Sequence, residues 1–259
     1  MTISVVHKTA GTAASVTSAT SASHTPASNK LQLLTVQSRT DISTDPNQPT
    51  VTGNGLTWVA IASVVYDPTG ASRKRVTMFR AMGASPTTGT TTIDFGGQTQ
   101  TDIDWIVDEQ TGMDTSGTNG SGAVVQNATN VVSGTSITVT LAAFGSAANA
   151  TYGGFAGGTD VGGNPLTVGT GFTLIKIQDR VATEFRSDND TTVDMTVTTT
   201  ASLGGIAIEV KAGGRASKNI RSHAMNHILR TSEGIGRRIG GARLFSLWEK
   251  MKNEIVALG

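Results

Sequence analysis

Residues 101–109, Thr-Asp-Ile-Asp-Trp-Ile-Val-Asp-Glu, decide the fold: Ile103, Trp105 and Val107 occupy every second position with carboxylates set among them. Successive side chains of a strand point to opposite faces, so a period of two reads as a β-strand. The same reading extends outward to Leu31–Val36, Leu56–Val65, Arg75–Met82 and Thr91–Phe95 on one side. On the other side it takes in Ala123–Ala128, Ser136–Leu141, Ala150–Ala156, Gly171–Ile177, Val181–Arg186, Thr192–Thr198 and Gly205–Lys211. Turn chemistry separates the runs: Asp45-Pro46-Asn47-Gln48-Pro49, Asp67-Pro68-Thr69-Gly70, Gly83-Ala84-Ser85-Pro86 and a Gly- and Ser-rich loop at Gly112–Gly122. There Pro fixes one dihedral and Gly permits the others. No useful length before residue 212 carries a helical stripe. The expected class is all-β, an antiparallel β-sandwich of jelly-roll-like type, over residues 1–212. Residues 1–28, rich in Ser, Thr and Ala, read as an edge strand or a flexible arm, with an extended arm ending in a strand preferred.

Beyond Gly213-Gly214 the pattern changes to a small helical extension, 213–259. Ser217 is a plausible N-cap, Ile220, Ala224 and Ile228 share a stripe, and Leu244, Leu247, Trp248, Met251 and Ile255 recur at helical spacing. Charge divides at the same place: residues 1–210 carry 10 basic and 16 acidic residues, and residues 211–259 carry 10 and 3. A basic tail on an acidic domain seeks an acidic partner surface. Its expected partner-binding residues are Arg237, Arg238, Arg243, Leu244, Leu247, Trp248, Met251 and Ile255. Phosphate contact by the arginines or membrane-surface binding by the apolar stripe would each use part of this set. Docking on protein is the expected use, over nucleic acid and a membrane, because the whole β module reads as an assembly part.

Composition and motifs narrow the chemistry. With no cysteine, there is neither a disulfide framework nor a thiolate metal site. The N-terminus lacks the apolar core of a secretory signal, and no run reaches the roughly 18 apolar residues of a membrane span. Asp102 with Asp104, and Asp108 with Glu109, are the first candidates for acid–base work, but on an alternating strand they read as outward, solvated carboxylates. Asp104 and Glu109 would be the pair of a glycosidase. Asp188, Asp190 and Asp194 offer hard oxygens for calcium without the Gly and closing Glu of an EF-hand loop. His223 and His227 stand four apart without the Glu of a zinc-protease helix, and no Gly-x-Ser-x-Gly elbow exists. Arg73, Lys74 and Arg75 read as a solvated loop. The expectation is a protein without catalytic, cofactor or metal residues.

Several segments carry a resemblance: Asn47-Gln48-Pro49-Thr50-Val51-Thr52-Gly53, Gly55-Leu56-Thr57-Trp58, Arg75–Ala81, Asp102-Ile103-Asp104-Trp105 and Gly205-Ile206-Ala207-Ile208-Glu209-Val210. Residues 28–212 resemble the Thr- and Gly-rich β-sandwich modules of tailed-phage structural proteins. The resemblance implies a virion location, a homo-oligomer, often a trimer, and a role as capsid decoration or cement protein bound to the major capsid protein. Trp58 and Trp105 would be core or interface anchors. The alternative is a tail-fibre or carbohydrate-binding module, which should show exposed aromatics near Trp105 or Tyr152.

Overall fold

The computed structural model describes residues 2–67, 72–157 and 163–214, essentially the first of two units, Met1–Gly213. The helical extension expected beyond Gly214 lies outside the described residues. Among those residues there are fourteen strands and no helix. In chain order they are β1 (Ser4–Val16), β2 (Ser18–Thr20), β3 (Leu31–Thr40), β4 (Thr50–Gly53), β5 (Val59–Asp67), β6 (Arg73–Ala81) and β7 (Thr91–Asp94). There follow β8 (Gln100–Thr111), β9 (Val124–Thr140), β10 (Ala150–Gly157), β11 (Thr167–Val168), β12 (Thr173–Gln178), β13 (Val181–Arg186) and β14 (Thr192–Val210).

The strands form three antiparallel sheets. A five-stranded sheet runs β1-β8-β3-β6-β5, a six-stranded sheet runs β11-β14-β10-β13-β12 with β9 along β14, and a three-stranded sheet runs β2-β7-β4. The five-stranded sheet lies in the middle. One of its faces packs Leu31, Leu33, Val76 and Met78 against Tyr152, Ala156, Phe185, Ile206 and Ile208 of the six-stranded sheet. Its other face packs Leu34, Val36, Phe79, Ile103 and Trp105 against Ala19, Val51, Ile93 and Phe95 of and beside the three-stranded sheet. Each such large apolar side chain contributes about 1.5–3 kcal/mol when fully buried.

The N-terminal segment takes its edge-strand form, and one expectation, on strand boundaries, is corrected. The N-terminal arm is a strand for 13 residues, β1, paired with β8 from Ser4↔Thr111 to Val16↔Gln100. Gly11 makes this close, since a Cβ there would fall inside the Trp105 indole. The segments expected as separate strands at 123–128 and 136–141 are one 17-residue strand, β9, and those at 192–198 and 205–211 belong to one 19-residue strand, β14. The two run as a ribbon whose register jumps where Val197–Thr200 face Thr135. At that jump the ribbon folds back on itself: Asn130 Nδ2 donates to the Thr138 carbonyl (2.8 Å), and Gln126 exchanges hydrogen bonds with the Ala142 backbone (2.9 and 3.0 Å). The fold encloses a third core of Ile137, Val139, Val193 and Met195 over Phe155, Ala182 and Ala207. Gly153 and Gly205 permit the contact, because a Cβ on either would collide with Phe155 and with the Val193 or Val139 side chain above it.

Candidate functional site

Because β8 is an inner strand of the middle sheet, both of its faces are covered. Ile103, Trp105 and Val107 face the three-stranded sheet, while Asp104, Asp108 and their neighbours face the six-stranded one. The expectation of solvated carboxylates is therefore overturned: Asp104 and Asp108 are fully buried, and Asp102 and Glu109 nearly so. A buried carboxylate persists only where donors replace its water.

Those donors come from distant strands. Asp108 Oδ2 accepts the Tyr152 hydroxyl and Thr183 Oγ1, both at 2.8 Å, and its Oδ1 lies 3.1 Å from His7 Nδ1. Burial, with Asp108 alongside, pushes the Tyr152 phenol far above its ordinary pKa, so it stays a donor. Glu109 projects from the opposite face, where its Oε2 accepts from the Ala27 amide (2.6 Å) and Gln32 Nε2 (2.8 Å), and its Oε1 sits 3.5 Å from Lys8 Nζ. Asp104 and Glu109 thus lie on opposite sides of one strand, which does not place them across a single glycosidic bond.

At the end of the row, the two-residue turn Asp179-Arg180 joins β12 to β13, with Asp179 at φ 46°. The turn directs the Arg180 guanidinium onto Asp102. Burial, reinforced by the like charge of Arg39, lowers the Arg180 pKa. Carboxylate oxygens of Asp102, Asp104 and Asp179 lie within 4.8 Å of one another, a hard-oxygen set of the kind that takes calcium or magnesium. Here Arg180 already brings positive charge into that cluster.

The other candidates resolve similarly. Arg186 spans the aspartates proposed for calcium, with Nε 2.5 Å from Asp188 Oδ1 and Nη1 2.5 Å from Asp190 Oδ2, while its guanidinium lies 5.8 Å from the centre of the Phe172 ring. Asp194 belongs to β14, where it lies against Gly169. Arg73, Lys74 and Arg75 are not a solvated loop but part of β6. They bind Asp45 (3.0 Å), Asp67 (2.7 Å), and the Pro46 carbonyl with Ser63 Oγ (2.6 and 2.9 Å) respectively. His223, His227 and the expected partner-binding residues Arg237, Arg238, Arg243, Leu244, Leu247, Trp248, Met251 and Ile255 lie outside the described residues.

Two buried acids escaped the sequence reading. Glu209 is held under the ribbon by Asn149 Nδ2 (2.5 Å) and Gln126 Nε2 (2.6 Å). Glu184 accepts a bond from the Gly169 amide (3.1 Å), and its other oxygen is buried without a hydrogen-bond partner among the described residues. Burial, opposed by that amide and reinforced by Asp194 and Asp190, pushes the Glu184 carboxyl up to about 8. Trp58, Trp105, Tyr66 and Tyr152 are all buried, so none of them offers a stacking surface. Comparison of the chain with protein-family models, with curated proteins and with solved structures finds no match.

Proposed function

We propose that the chain is a non-enzymatic structural protein of a tailed-phage virion, a capsid decoration or cement protein that docks on the head through its basic tail. The observation that carries the reading is how the β unit uses its charge. Of the β8 carboxylates, Asp102, Asp108 and Glu109 are tied to Arg180, Tyr152, Thr183, Lys8 and Gln32 inside the unit. The exposed positions of β9 and of the first part of β14 are Thr, Ser, Asn and Val instead. Residues 1–210 balance at −6 and residues 211–259 at +7, from 10 basic against 16 acidic and 10 against 3. An inert shell with a charged anchor suits attachment to an acidic protein surface.

The carbohydrate-binding alternative loses its simplest support, since sugar recognition favours exposed aromatic faces and the tryptophans and tyrosines of the β unit are buried. Capsid binding by the full chain, compared with a chain ending at Ala212 in low and high salt, tests the proposal. The full chain should bind, more weakly as salt rises, and the shortened one should not. Equal binding by both, or by neither, removes the tail-anchored cement role.

A further inference from the structure

An open sheet edge invites another strand, and natural proteins blunt their edges with short strands, bulges, charge or Pro. Most edges of this unit are blunted. β2, β4 and β11 are only 3, 4 and 2 residues long. β1 bulges at Lys8, and β12 bulges at Ile175 and carries Lys176. β5 bulges twice, at Ile61 and Tyr66.

β9 has none of these devices along its first half. From Gln126 to Gly134 it keeps unbroken register with β14, Glu209 through Ala201, and the whole 17-residue strand contains no charged residue and no Pro. Among the described residues β14 is the only strand paired with it. Val125, Asn127, Thr129, Val131 and Ser133 form an exposed row, with Val125 52% and Val131 41% accessible. The Val131 amide donates to its neighbour Asn130 Oδ1 (2.8 Å), so it points away from the ladder to β14.

We propose that the Gln126–Gly134 edge of β9 pairs antiparallel with the same edge of a second copy of this chain, about a two-fold axis. Such a contact is isologous: each residue meets another residue of the same strand. Any charge on the strand would be repeated across the axis at short range, and like charges opposed across a ladder repel. A strand without charge meets its own image at no such cost, whereas recognition of a different, charged partner would call for complementary charge. The pairing also brings Val125 and Val131 of both copies onto one face, removing two of the large apolar side chains the unit leaves exposed. The inference goes beyond the capsid role and does not need it, and its assay contains no capsid.

The test is light-scattering mass of the full chain. The wild type should form a dimer, or a larger even-numbered assembly, of its 26.6 kDa subunit. Val131→Lys adds the missing charge, and Val131→Pro removes an amide that the β14 ladder does not use. Each should weaken association by about tenfold or more while the circular dichroism of the fold is retained. The chain has no cysteine, so Asn130→Cys, at the midpoint of the paired segment, should give a disulfide-linked dimer on mild oxidation, faster than Val6→Cys on the β1 edge. A wild type that is monomeric at every concentration, an oligomer (a trimer included) whose mass neither Val131 variant changes, or equal cross-linking at both cysteines overturns the proposal.

Discussion

Glu184 shows what a single side chain costs when its strand is covered on both faces. Its carboxyl keeps a proton to about pH 8, against an ordinary value of 4.5. Between those two values the unfolded chain ionises while the folded one stays protonated, so the folded state binds more protons and stability falls as pH rises. The loss is complete above about pH 8. At about 1.4 kcal/mol per pKa unit, it is on the order of 5 kcal/mol. Asp194, also raised by burial and by Asp190, adds a slope of the same sign. Glu184→Gln keeps the shape and removes the ionisation, so its unfolding free energy should exceed the wild type's at pH 9 and flatten between pH 5 and 9; denaturant curves that stay parallel across that range refute the assignment. Nothing near residue 184 in the sequence signals this. Val-Ala-Thr-Glu-Phe-Arg alternates like any half-solvated strand, and the covering ribbon comes from residues 136–140 and 192–197. The carboxylates of β8 misled for the same reason: their donors Tyr152, Thr183 and Arg180 stand 44 or more residues away in the chain.

At the scale of elements, strands were legible and their continuity was not. Period two located the core of nearly every strand from Leu31 to Val210, because Leu, Ile, Val and aromatic residues recur at alternate positions. The breaks read at 129–135 and 199–204 were false. Asn, Ser and Gly residues there look like turn formers, yet they pair straight through and the chain bends only at the register jump. One distant residue holds that bend. Asn164 Oδ1 accepts from the Thr198 and Thr199 amides and the Thr198 hydroxyl, at 2.7 to 2.9 Å, and its Nδ2 donates to the Thr199 carbonyl at 2.7 Å. Asn164→Ala strips four bonds from a corner where Asn164 is buried but Thr198 and Thr199 are exposed, so water replaces the lost partner and each bond counts for its net value of about 0.5–1.5 kcal/mol. Stability should drop by roughly 2–4 kcal/mol, with amide exchange rising first at residues 198 and 199; unchanged exchange there would show that the corner needs no such pin.

On the scale of the whole molecule, the middle sheet belongs to two cores at once. Phe95, buried at the far side of that sheet, is expected to govern the stability of the entire β unit, with Phe95→Ala costing about 3–5 kcal/mol. Because Trp58 and Trp105 both sit in that core, tryptophan fluorescence and far-ultraviolet circular dichroism should report one coincident transition, shifted as a unit; separate midpoints would mean that the layers melt independently. The pairing order also sets a timetable for synthesis. β1 leaves the ribosome first and has no partner until β8, roughly a hundred residues later, while β9, β10 and β11 all await β14 near the end of the unit. Half-made chains therefore carry unpaired strands, and contacts of such long sequence separation close slowly. The nascent chain is exposed to mispairing with its neighbours for most of its translation, so yield of folded protein should depend more on the rate and crowding of synthesis than on the final stability of the sandwich.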